Sequence, residues 1–282
     1  MNVLAKHFFN FPVTKIVAGI VICLGTMVLI KVCISQPILY GLLDNRELAD
    51  TIKNCISFIT LLVSYFLFSK FYERTSPGEL SVKYLPKEML GGFIPGFLAI
   101  SLSIFLLYLM GYYRIVSISL SHYSLKLFTL LLAAALVEDL LIRGLIIRVL
   151  ENWLGTYIAL IIGMLLETMH MFNPNANALS IIFDLIWGFT MAMFYVYSKR
   201  IWLPFFFHVG WNFAQPFYGS NLTGLDDMGT IIQSQFKGPL ILTGGAVGIE
   251  NSIITGVLLL VIGLILLYLA KKEGKIIKRK AF

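Results

Sequence analysis

Three charged residues, Glu138, Asp139 and Arg143, stand at the end of an apolar run that begins near Leu127, in the stretch Val137-Glu138-Asp139-Leu140-Leu141-Ile142-Arg143-Gly144. Charged groups at the centre of a membrane helix cost about 2.5–3.5 kcal/mol each on insertion scales, so they need partners and mark a functional site by default. On a helix, Asp139 and Arg143 are four apart, share a face and can pair. Glu138 lies about 100° round the axis and is left to point elsewhere, towards a cavity. The competing account is a salt-bridged helix end at the cytoplasmic boundary.

Two later apolar segments offer partners. One ends Leu165-Leu166-Glu167-Thr168-Met169-His170 and is stopped by Asn173-Pro174; Glu167 and His170, three apart, share a face. The other runs Trp202-Leu203-Pro204-Phe205-Phe206-Phe207-His208-Val209-Gly210-Trp211-Asn212. His208 and Asn212 share a face, and Gly210 between them lets another helix come close. Asp184, in a further apolar run, is expected to be a hydrogen-bonded polar residue of the bundle rather than part of the site.

A carboxylate, two histidines and an amide from three helices suit hydrolysis. Glu138 can take a proton from water, His170 can position that water or protonate a leaving amine, and His208 with Asn212 can stabilise an oxyanion. Alternatively, Glu138, His170 and His208 are donors of the kind a catalytic zinc accepts, with one position left for water. The residues alone leave both open. No G-x-S-G or H-E-x-x-H motif is present, and Gly224-Leu225-Asp226 has no membrane-embedded aspartate to work with.

The elements that must hold these residues follow from composition. The chain has 282 residues, 58% hydrophobic and 13% charged, which is a membrane composition. Runs near or above the ~20 residues a helix needs to cross ~30 Å of hydrocarbon predict about eight transmembrane helices: 16–36, 51–70, 91–110, 125–147, 155–172, 179–198, 201–218 and 252–270. The expected fold is an all-α polytopic membrane helical bundle. Residues 1–90 form N-terminal spans and a cytoplasmic loop, and residues 91–282 form a C-terminal bundle with its core at about 125–215. The first apolar run reads as a retained span rather than a cleaved signal. Ser76-Pro77-Gly78 reads as a turn leading to a segment on the membrane surface, and 219–250 as the longest external loop. Cys23, Cys33 and Cys55 lack metal or CxxC spacing and are expected to be buried and apolar.

The positive charge, +7 overall, is distributed as a topology signal. Lys6, Lys15, Lys70, Arg74, Lys83, Lys87, Arg143, Arg148, Lys199, Arg200, Lys271, Lys272, Lys275, Lys278, Arg279 and Lys280 fall on one side of the alternation. Lys31, Arg46, Lys53, Arg114, Lys126 and Lys237 fall on the other. Both termini are therefore expected in the cytoplasm. The partners expected are the lipid bilayer and a membrane-associated peptide or protein, with no nucleic acid.

The motif order resembles the CPBP family: type II CAAX prenyl endopeptidases, bacteriocin-processing and self-immunity proteins, and bacterial relatives. Its signature E-E-x-x-x-R, F-x-x-x-H and H-x-x-x-N/D is matched by Glu138-Asp139-x-x-x-Arg143, Leu166-x-x-x-His170 and His208-x-x-x-Asn212. Gly244-Gly245-Ala246-Val247-Gly248-Ile249-Glu250-Asn251-Ser252 is similar to a C-terminal stretch of some bacterial members. The resemblance implies an intramembrane protease in which Glu138 is the general base, Arg143 its structural partner, His170 a water-positioning or acid residue, and His208 with Asn212 the oxyanion site. It does not imply a metal. Asp139 for glutamate should keep the pair with Arg143, Leu166 replaces an aromatic, and Glu167 adds a carboxylate beside His170. A bacterial plasma membrane and a peptide substrate are expected. A non-catalytic immunity or scaffold partner of the same fold, and a proton-coupled transporter using Glu138, Asp184 and the histidines, are the competing functions.

Overall fold

The computed structural model describes residues 9–119, 125–168, 175–225 and 229–279. Helix α1 spans Pro12–Leu42, α2 Arg46–Glu73 and α3 Leu85–Leu109. After strand β1, Tyr113–Ile118, helix α4 runs Leu125–Glu138 and passes without a break through a π-helical stretch, Asp139–Ile147, into α5, Arg148–Leu154. Then come α6 Thr156–Glu167, α7 Ala178–Ser198, α8 Trp202–Phe217, β2 Ile232–Phe236, the short α9 Leu240–Thr243, and α10 Ile253–Lys272.

Lipid offers no hydrogen bonds, so the apolar runs satisfy their backbone internally as helices. Polar caps set the starts: the Asn45 side chain accepts from the Leu48 N–H, Asn177 and Ser180 form a capping box, and Ser252 accepts from the Ile254 N–H. The all-α membrane bundle stands as expected. Helices α1, α2, α3, α7 and α10 are long and apolar enough to cross a membrane. The other three segments fall at the expected places but differ in kind. At 12 and 16 residues, α6 and α8 are shorter than ~30 Å of hydrocarbon demands, and the α4–α5 column is interrupted by its charged π stretch.

The sequence gives no sign of β1 and β2, which pair antiparallel with an irregularity between Ile115 and Ser117. They sit at one end of the bundle. At the other end Phe11 packs edge-on against Trp153, and the Thr156 N–H donates to the Ile277 carbonyl. The N-terminal end of α1, the α5–α6 corner and the tail are therefore together, as the charge pattern requires.

Helices α3 and α8 pack closest. A Cβ on Gly96 would meet the Phe207 carbonyl oxygen at 2.2 Å, and one on Gly210 would meet that of Phe93 at 2.2 Å. The close approach expected at Gly210 is thus made, by α3. One apolar cluster joins Cys23, Leu61 and Tyr65 of the first two helices to Leu140, Leu145 and Phe205. The N-terminal helices thus share a core with the column that carries Glu138.

In the segment after Ser76, Glu79 is buried, accepting from the Tyr65 hydroxyl and pairing with Arg148 at 3.1 Å, while residues 81–84 are exposed. One expectation is corrected. Of the cysteines only Cys23 is buried. Cys33 and Cys55 lie on the outward faces of α1 and α2, where an apolar thiol can face lipid.

Candidate active site

The π-helical stretch decides how the first motif works. Hydrogen bonds there close at i→i+5, so residues five apart come nearly into line, and those four apart remain close. Arg143 Nη1 therefore reaches both carboxylates, Glu138 Oε1 at 3.0 Å and Asp139 Oδ1 at 3.3 Å. Its Nη2 lies against Glu167 of α6. Asp139 and Arg143 are fully buried and Glu167 nearly so. The expectation that Arg143 serves Asp139 alone, leaving Glu138 apart, is corrected: a helix widened by one residue per turn puts the guanidinium between them. Glu167 is a third carboxylate on Arg143; His170, beside which it was expected, lies outside the described residues.

Asp139 has a second partner. His208 Nδ1 is 3.1 Å from Asp139 Oδ2, which joins α8 to the π stretch. The indole of Trp187, from α7, stands against both reacting candidates. Its Nε1–H points to Glu138 Oε1 at 3.4 Å, and its ring meets the His208 ring edge-on with centroids 5.0 Å apart. These contacts bring Glu138, Asp139, Arg143 and His208 together from two distant parts of the chain.

Above them is a cavity of about 330 Å³, lined among others by Glu138, Asp184, His208 and Asn212. Helical spacing orders its depth. His208, Trp187 and Glu138 form the floor, and Asn212 and Asp184 stand one turn outward. Leu130, Leu131, Ala134 and Ala135 of α4 give an apolar wall. Asp184, expected as a bundle hydrogen-bonding residue, also borders the cavity. The roof is the external loop folded back, with Leu222, Thr223, Val247, Glu250 and Asn251. Glycine permits that fold: Gly244 has φ +77°, and a Cβ there would sit 1.7 Å from the Gly248 carbonyl oxygen.

Glu138 lies roughly 20 Å from either end of the 125–154 column at 1.5 Å per residue. That is the middle of the bundle rather than its cytoplasmic boundary. The cavity extends from there towards the end that carries β1, β2 and the 218–252 loop.

His170 lies outside the described residues, so only Glu138 and His208 of the zinc set can be placed. Among the described residues no three His, Cys, Asp or Glu side chains converge as a metal site. Arg143, a fixed cation against Glu138, opposes a second positive charge there. The sequence reading missed Trp187, Thr223, Glu250 and Asn251 as site residues. Trp187 was legible, since Ser180, Asp184 and Trp187 recur at helical spacing. Glu250 and Asn251 lay in the glycine-rich frame without an assigned role.

The chain is an integral, multi-pass membrane protein whose helical bundle holds acidic and basic side chains around a cavity. Residues 120–214 match the family described as type II CAAX prenyl endopeptidase Rce1-like. The resemblance drawn from the motifs therefore holds over the segment that contains every motif residue, and the family is one of membrane proteases. Comparison with curated proteins and with solved structures finds no match.

Proposed function

We propose that the chain is an intramembrane endopeptidase that hydrolyses a peptide bond of a membrane-associated peptide or protein, with water activated by Glu138. The observation that carries this reading is the shared indole: Glu138 and His208 flank Trp187 at the floor of a largely apolar cavity. In such surroundings charges act strongly because little water screens them.

As a carboxylate, Glu138 takes a proton from a cavity water, whose oxygen attacks the peptide carbonyl carbon. Arg143 Nη1, 3.0 Å from Glu138 Oε1, holds that carboxylate in place. The developing oxyanion accepts the side-chain N–H of Asn212, one turn above His208. An ionised Asp139 can only accept, so it takes the Nδ1–H of His208 and fixes the tautomer, leaving Nε2 for the cavity. Once it has taken a proton from solvent, that nitrogen donates a hydrogen bond to the oxyanion, while Asp139 stabilises the imidazolium. His170 keeps the water-positioning or acid role that the resemblance implies. The proton held by Glu138 passes to the departing amine.

The test is mass spectrometry of peptides released from membranes carrying wild-type protein or the isosteric Glu138→Gln variant. Loss of a general base lowers cleavage by about 10²–10⁴-fold. Cleavage undiminished in the variant would exclude the mechanism.

A further inference from the structure

The outer half of the cavity has a chemistry that peptide hydrolysis does not use. Beyond Asn212 its polar lining consists of Asp184, Glu250, Asn251, Thr223 and Ser180. Among the described lining residues there is no lysine or arginine. Contacts between α7 and α10 set the levels: Phe183 abuts Gly256, and the Thr190 hydroxyl donates to the Leu259 carbonyl, so the start of α10 lies beside the start of α7. Asn251 and Glu250 therefore stand near the level of Ser180 and Asp184, outward of the floor.

Glu250 is held in place rather than dangling: Oε2 accepts from Gln215 Nε2 and Oε1 from the Thr223 N–H, both at 2.8 Å. Asn251 differs. It is 3% exposed and borders the cavity, and its Oδ1 accepts nothing from any described residue. A buried carbonyl oxygen left without a donor loses its hydration, which a donor brought by a ligand would restore. The opposite wall, Leu130, Leu131, Ala134 and Ala135, can cover an aliphatic stem.

We propose that the outer cavity is a subsite for a lysine or arginine side chain of the substrate, its N–H donors directed to Asn251 Oδ1 and the Glu250 and Asp184 carboxylates, its methylenes against α4. A basic side chain carries several donors, matches the charge, and snorkels in this way past apolar surface. The proposal rests on the endopeptidase reading for the identity of the ligand as a peptide, but its test does not need catalysis.

Three palmitoylated peptides, identical except for one Lys, Gln or Glu, are titrated into the Glu138→Gln protein in nanodiscs, with Trp187 and Trp211 fluorescence as the readout. The Lys peptide should bind about tenfold more tightly than the Gln peptide, and the Glu peptide most weakly. Glu250→Gln should shrink the Lys/Gln ratio to about twofold or less, while Asn251→Asp, which turns the partnerless oxygen into a carboxylate, should enlarge it. Binding of the Gln peptide reports whether each variant is folded. Equal affinity for all three peptides, or a ratio that neither substitution moves, overturns the subsite. Charge-selective binding with no cleavage by the wild type would instead remove the endopeptidase reading and leave the subsite standing.

Discussion

At the scale of residues, the first motif is a shared cation rather than a pair plus a spare acid. Arg143 touches Glu138, Asp139 and Glu167, and all but Glu138 are wholly or nearly removed from solvent. Removing one partner of such a cluster leaves charge uncompensated, at about 3–5 kcal/mol. Arg143→Met should therefore lower the thermal unfolding temperature in detergent sharply, and Glu167→Gln added to it should recover part of the loss. Additive losses in the double variant would deny the contact. Asp139→Asn tests a different link. It can keep a hydrogen bond to His208, but in the wrong sense, so kcat should fall about 10²-fold with KM little changed. An unaltered kcat would return Asp139 to a purely structural role. The identities of these residues were readable from their types and spacing. Their partners were not, because a 3.6-residue helix was assumed across a stretch that winds wider.

At the scale of elements, positioning comes from two features of unequal legibility. The seam between α3 and α8 is written in glycine, at Gly92 and Gly96 on one side and Gly210 on the other. Only Gly210 stood out in the sequence, through its place between His208 and Asn212. Because the seam fixes the helix that carries both, Gly96→Ala should force α3 and α8 apart, at about 1–3 kcal/mol for overpacking. Loss of cleavage should accompany the fall in melting temperature. Gly25→Ala is the control, since a Cβ there meets nothing within 4 Å. An equal effect of the two substitutions would show that the seam is not what holds α8. The π stretch carried no legible signal, since Leu140-Leu141-Ile142 continues the apolar run unchanged. The β1–β2 ribbon was hidden for a different reason: its strands are short, far apart in sequence, and joined only once the helices are placed.

At the scale of the whole molecule, charge placement made the two ends of the bundle legible, and the ion pairs inside it follow the same division. Arg148 with Glu73 and Glu79, Arg200 with Glu88, and Lys199 with Glu151 lie at the end shared by the α5–α6 corner and the tail. Asp50 with Lys53 and Lys126 marks the opposite end, with β1 and β2. The positive-inside rule predicts that the first end faces the cytoplasm. The cavity roof then faces outward, so a substrate would reach Glu138 past the 218–252 loop, a route the charge count alone did not suggest. The orientation is testable in a background in which Cys23→Ala, Cys33→Ser and Cys55→Ser remove the native thiols. Ser117→Cys, on β1, should react with a membrane-impermeant maleimide in intact cells. Lys278→Cys, beside the α5–α6 corner, should react only after permeabilisation. The reverse pattern would invert the molecule and put the roof in the cytoplasm, and labelling of both sites from one side would break the separation of ends on which the entry route depends.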